Sequence, residues 1–152
     1  MRGFTAALAL ALVIAASACS RGPLAPAPLD TRNDACAECR MTVSAARFAS
    51  QIVAPGEEPR FFDDLGCLAA HLRDRPPLPS GAVVYVADHR TREWALAASA
   101  VFTKVAGLDT PMGSRVVAHA SSTSRDADPA AAGGEPVDAR VYFTAKLPGG
   151  RP

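Results

Sequence analysis

Apolar and polar positions alternate loosely over 41–54 (MTVSAARFASQIVA), a stretch rich in Val, Ile and Phe, and this predicts a strand. PGEEP at 55–59 reads as a turn. RFF at 60–62 opens a second strand, so the pair forms a hairpin. Over 63–72 the period changes. Leu65, Leu68, Ala69 and Leu72 fall at i, i+3, i+4 and i+7, the spacing of one helical face, and Asp63 and Asp64 stand where a helix is capped. RPPLPSG then breaks the helix.

The pattern past residue 81 is looser. AVVYVADH at 82–89 predicts a strand with His89 solvated at its end, and TREWAL predicts a partner strand whose Trp94 fills the core. ASAVFTKVAG reads as a short helix or irregular segment, SRVVAHAS at 114–121 as a strand, and TSRDADPAAAGGEP as a loop around a weak helix. VDARVYFTAK at 137–146 reads as a closing strand. The order β-β-α-β, then β-α-β-β, predicts an α+β fold. The halves echo each other in order, without a residue-level repeat.

The first residues do not belong to that domain. Arg2 precedes an apolar run from Ala6 to Ala16 that ends in small residues, which is a secretory signal peptide over 1–18. The run is well short of the ~18 apolar residues that a membrane-spanning helix needs. Ala16-Ser17-Ala18-Cys19 looks like a lipobox, in which Cys19 is lipidated and becomes the first mature residue; the alternative is ordinary cleavage that leaves a plain Cys. Ser20 after it, in place of Asp, points to the outer rather than the inner membrane for a Gram-negative host. RGPLAPAPLD carries three prolines and predicts an extended, flexible tether over 19–33.

Charge excludes one class of partner. Removing the signal takes away Arg2 alone of the 16 basic residues, which leaves 15 basic against 15 acidic and a net charge of zero. No basic stripe is present, so nucleic acid is excluded as a partner.

Cysteine count narrows the chemistry. With Cys19 lipidated, three of the four cysteines remain, Cys36, Cys39 and Cys67, and three cannot all pair in an oxidising compartment. A Cys36–Cys39 disulfide would close a tiny loop, where the entropic gain is smallest. On an extended strand Cys39 and Met41 share a face, and Cys36 one short loop earlier can swing toward them. Cys67 falls in the first helical turn, where the dipole favours thiolate, with His71 one turn further on the same face. Thiolates with a thioether form a soft set suited to Cu(I); zinc accepts the cysteines but rarely Met. Met41 has a plainer alternative as a core residue of its strand.

C-x-x-C-x-M (Cys36, Cys39, Met41), FFDDLGC (61–67), Trp94 and TPMGSRVVAH (110–119), in this order, resemble the NosL family of nitrous oxide reductase accessory lipoproteins. The resemblance runs from about Asp34 to Gly133. It implies a lipid-anchored, periplasm-facing Cu(I) chaperone that works with nitrous oxide reductase and its membrane ABC-type maturation complex. It also implies two small ββαβ units, which would divide the chain into 34–80, with the CxxCxM motif, and 81–148, with the PMG motif. Two departures stand out: Arg40 occupies a position where the family often has Gly, and Pro129 falls in what should be a helix.

The resemblance carries Cys36, Cys39, Met41 and Met112 over as copper ligands. Met112 has the alternative of a plug between the halves. Cys67 is either a further ligand or an inert buried thiol. His119, on the same strand face as Val117, is either a ligand or a packed residue. No nucleophile–base–orienter set is visible, so the chain reads as a non-enzyme. The competing reading is a thiol–disulfide oxidoreductase using Cys36-Ala-Glu-Cys39. Against it, this CxxC precedes a strand, whereas in thioredoxin-like proteins the motif opens a helix.

Overall fold

A computed structural model describes residues 24–144 together with 147 and 148. The expected signal peptide over 1–18, Cys19 with its expected lipidation, and the end of the strand expected over 137–146 lie outside the described residues. Among the described residues, no helix is long and apolar enough to cross a membrane.

The fold is α+β, built on two small antiparallel sheets with a few helices. In the first half, β1 (Ser50–Val53), β2 (Arg60–Phe62) and β3 (Val83–Ala87) flank the helix α1 (Leu65–Asp74), and β4 (Trp94–Leu96) extends the sheet to the order β2-β1-β3-β4. The second half runs β5 (Val101–Lys104), β6 (Val116–His119), α2 (Ser122–Asp126), β7 (Glu135–Val137) and α3 (Ala139–Tyr142), with sheet order β6-β5-β7. Each half is therefore a ββαβ unit whose first strand sits in the middle. The echo between the halves lies in topology. One hydrophobic cluster holds Ile52, Phe62 and Leu68 together with Phe102, Val116 and Phe143, so both sheets share a core.

The 41–54 stretch is the main departure from the expected strands. Only Ser50–Val53 pairs in the sheet; a 3-10 turn occupies Ala46–Phe48, and Thr42 makes an isolated bridge to Ala35. β1 is buried on both sides because the chain before it folds back. Ala27 N–H donates to Gln51 Oε1 at 2.8 Å, Gln51 Nε2 donates to the Ala27 carbonyl at 3.1 Å, and Tyr85 OH donates to the Leu24 carbonyl. From Leu24 onward the proline-rich segment thus lies docked on the sheet, where the sequence predicted a flexible tether.

α1 buries the expected Leu65, Leu68, Ala69 and Leu72. Asp64 alone caps it, accepting from Gly66 N–H, and Arg75 ends it in extended backbone before Pro76, where a helical conformation would clash with the proline ring. Two segments past residue 97 differ from their expected type. The 98–107 stretch holds β5, because Phe102 and Thr103 are buried between β6 and β7, a cross-strand environment outside the local pattern. The 137–146 stretch leaves β7 at Val137 and turns into α3, because Asp138 accepts hydrogen bonds from Arg140 and Val141 N–H as an N-cap. Phe143 then packs edge-on to Phe102, with centroids 5.2 Å apart. Pro129 breaks no helix, since it opens a separate 3-10 turn capped by Asp128.

Candidate metal centre

The Cys36–Met41 segment is a tight turn rather than a strand. Cys36 N–H donates to the Met41 carbonyl at 2.8 Å, and Arg40 N–H donates back to the Cys36 carbonyl at 3.0 Å. Cys39 and Met41 therefore do not share a strand face. Closing the turn places Arg40 at φ 68°, the left-handed region that glycine enters freely and a side chain enters at a cost. Arg40→Gly is expected to stabilise the chain by up to about 1 kcal/mol, the relief of that strain less the added freedom of the unfolded chain. Chemical denaturation with an unchanged m-value checks it, and a lower midpoint contradicts it.

The turn brings Cys36 and Cys39 against β2 and the start of α1. A parallel bridge joins Cys36 to Phe61, and Ala37 N–H donates to the Phe61 carbonyl at 2.7 Å. The result is a group of four ligand atoms, from Cys36, Cys39, Asp63 and Cys67, all within 4.8 Å of one another. All three cysteines are free thiols. This arrangement can hold a metal ion. Asp63, read from the sequence as a helix cap, instead receives the Cys39 thiol, with Sγ 3.5 Å from both carboxylate oxygens.

Protons are shared unequally across the group. A hydrogen bond from the Cys67 thiol holds the Cys36 pKa down, to about 6, against the opposing effect of burial. Cys67 is pushed up as the donor in that bond and by burial, and Cys39 is pushed up chiefly by burial. Cys36 is therefore the most acidic of the three thiols.

The PMGS loop is fastened over the N-terminus of α1 by one carboxylate. Asp64 Oδ2 accepts from Thr110 Oγ1 at 2.7 Å and from Met112 N–H at 2.9 Å, while Oδ1 accepts the Gly66 N–H at 2.6 Å. A Cβ on Gly66 would stand 3.1 Å from both Asp64 Oδ1 and Ser114 Cβ, so loop and helix approach closely at this glycine and a side chain there would press on both. Burial pushes the Asp64 carboxyl up, but hydrogen bonds from Ser114, Gly66, Met112 and Thr110 outweigh it and leave the pKa lowered.

This fastening sets Met112 on the rim of a hollow of about 810 Å³, whose lining includes Cys39, Gly66, Cys67, Ser114 and Tyr142. Met112 is 47% exposed, so it is no core plug. Met41 is 51% exposed and does not line the hollow; its backbone closes the cysteine turn. No family model, curated protein or solved structure matches this chain.

Of the three histidines, His89 alone takes another place than its position suggested. His71 Nδ1 lies 3.2 Å from Glu38 Oε2 and its Nε2 lies 3.3 Å from Arg60, which anchors the cysteine turn to α1. Its pKa is lowered, first by burial, against the opposing Glu38 carboxylate. His119 stands outside the cysteine group, fully buried against Asp128. His89, expected at the solvent, is buried beside the same carboxylate. Sequence reasoning missed Asp63 as a partner of the thiols and Glu38 as a partner of His71. The sole local signal for Asp63 was a second Asp next to a cap position that uses one.

Proposed function

We propose that this chain is an exported, lipid-anchored Cu(I) chaperone that supplies copper for the maturation of nitrous oxide reductase. The observation that carries the reading is the convergence of three cysteine sulfurs beside a hollow with a half-exposed methionine on its rim. Soft sulfur donors prefer Cu(I) over hard cations, and the lowered pKa of Cys36 eases the loss of the proton that metal binding requires. Exposure of Met112 suits transfer, because a partner's ligand can reach the ion from the open side while the cysteines still hold it. The lipid on Cys19 would confine the domain to the membrane surface and raise its effective concentration near a membrane-bound maturation complex. The partners and the periplasm-facing location follow from the sequence resemblance and the lipobox.

The oxidoreductase alternative needs an exposed, low-pKa nucleophile. Here the low-pKa thiol, Cys36, is fully buried, and the more exposed Cys39 is pushed up. That division suits a ligand better than a nucleophile. Reduced protein lacking the signal peptide is expected to bind one Cu(I) and to keep it against equimolar Zn²⁺ in a competition titration, with no acceleration of insulin reduction. Displacement of the copper by zinc, or turnover of insulin disulfides, contradicts the chaperone reading.

A further inference from the structure

A second group of ligand atoms lies where the two sheets meet. The end of β3 is joined to β6 by a 2.8 Å hydrogen bond from His89 N–H to the Ala118 carbonyl, and Ala120 N–H donates to Asp88 Oδ2 at 2.9 Å. These bonds bring His89 beside His119. Asp128 reaches both from the 3-10 turn at Pro129–Ala131, with its Oδ1 used to cap that turn through Ala130 N–H. Its Oδ2 is left to the imidazoles, 2.6 Å from His89 Nδ1 and 2.9 Å from His119 Nε2. His89, His119 and Asp128 are only 4%, 0% and 6% exposed.

We propose that His89, His119 and Asp128 form a second metal site, which takes a borderline divalent cation of the Zn²⁺ kind. Two imidazole nitrogens and one carboxylate oxygen, with no sulfur, select a harder ion than the cysteine group does. The three atoms lie within 4.8 Å of one another. Donors in a tetrahedral zinc site stand roughly 3.4 Å apart, so both contacts to Asp128 need open by less than about 1 Å. A hollow of about 240 Å³, lined by Asp128, Asp126, Arg125 and Gly133 but by neither histidine, adjoins the group on its Asp128 side.

The ring nitrogens record the event. A carboxylate only accepts, so without metal the protons lie on His89 Nδ1 and His119 Nε2. The outward atoms, His89 Nε2 and His119 Nδ1, are buried without a hydrogen-bond partner among the described residues. Metal takes the inward lone pairs, and each proton moves to the outward nitrogen of the same ring. Both tautomers invert. The site does not rest on the copper reading, since none of its ligands belongs to the cysteine group.

The test is a Zn²⁺ titration of the reduced, signal-free chain, followed by long-range ¹H–¹⁵N correlation of the histidine rings. The cysteine group takes zinc as well, so the expected stoichiometry is two, with His89 and His119 inverting together and His71 keeping its tautomer. Asp128→Asn is expected to lower the stoichiometry to one and to weaken the remaining histidine-site binding at least a hundredfold. If that variant does not fold, the native spectra decide alone. Unchanged His89 and His119 tautomers through two equivalents of zinc would overturn the proposal, as would a stoichiometry of two in folded Asp128→Asn.

Discussion

Cys36→Ser is expected to weaken Cu(I) binding at least a hundredfold, the largest single loss at the site. Cys36 supplies the thiolate, held low by the Cys67 thiol, and serine offers a neutral hydroxyl that copper does not favour. A hundredfold loss corresponds to about 2.7 kcal/mol. Cys36 is also fully buried, so the serine hydroxyl must find a partner, and the apo protein should lose about 1–2 kcal/mol as well. Cys39→Ser should cost tenfold or more in affinity and less in stability, because Cys39 is only partly buried. Met112→Ala separates binding from folding. Its exposure predicts a melting temperature within about a degree of the parent together with a tenfold loss of affinity. Competition against a chromophoric Cu(I) chelator, with calorimetry of each apo variant, checks the series. Retention of full affinity in Cys36→Ser would remove the cysteine group as the copper site.

Asp64→Ala is expected to destabilise the chain by about 3 kcal/mol, more than an ordinary cap loss, because one carboxylate serves two structures. It caps α1 through Gly66 N–H and fastens the PMGS loop through Thr110 and Met112. Removing it leaves those donors without their charged acceptor and frees Met112 from the rim of the hollow, so Cu(I) affinity should fall with stability. The pH dependence has a definite sign. A lowered pKa in the folded state means stability that is present above the ordinary carboxylate value of about 3.9 and is lost as pH falls through the folded value. The gap in melting temperature between parent and Asp64→Ala should therefore be constant from pH 7 to about 5 and narrow below pH 4. A gap independent of pH would show that Asp64 acts by shape alone.

Local periodicity was enough for the elements that bury one face. α1 carries its apolar residues at helical spacing, and the same four residues point into the core. Val83–Ala87 and Val116–His119 lie inside strands expected from their Val-rich runs. The misread segments are those where a single polar residue or a distant neighbour outweighs the local pattern. Asp138 turns an alternating stretch into a helix by capping it, and Phe102 becomes a strand residue because β6 and β7 lie on either side. Leu24 to Asp30, read as tether, is docked because Gln51, a polar residue facing away from α1, offers both a donor and an acceptor to Ala27.

The sequence by itself determined the α+β class and the position of Cys67 at the start of a helix. These follow from composition and from spacings shorter than one element, where covalent geometry dictates which residues share a face. Tertiary structure alone decided which partners each site residue has. It drew Asp63 away from capping to receive the Cys39 thiol, made Cys36 the most acidic of the three thiols, and tied Met112 to Asp64 across 48 residues. It also removed His119 from the cysteine group and set it with His89 against Asp128. The physical reason is the same in each case. A buried polar group must find its partner within hydrogen-bond reach, and that partner is chosen by how sheets and turns meet in space rather than by distance along the chain.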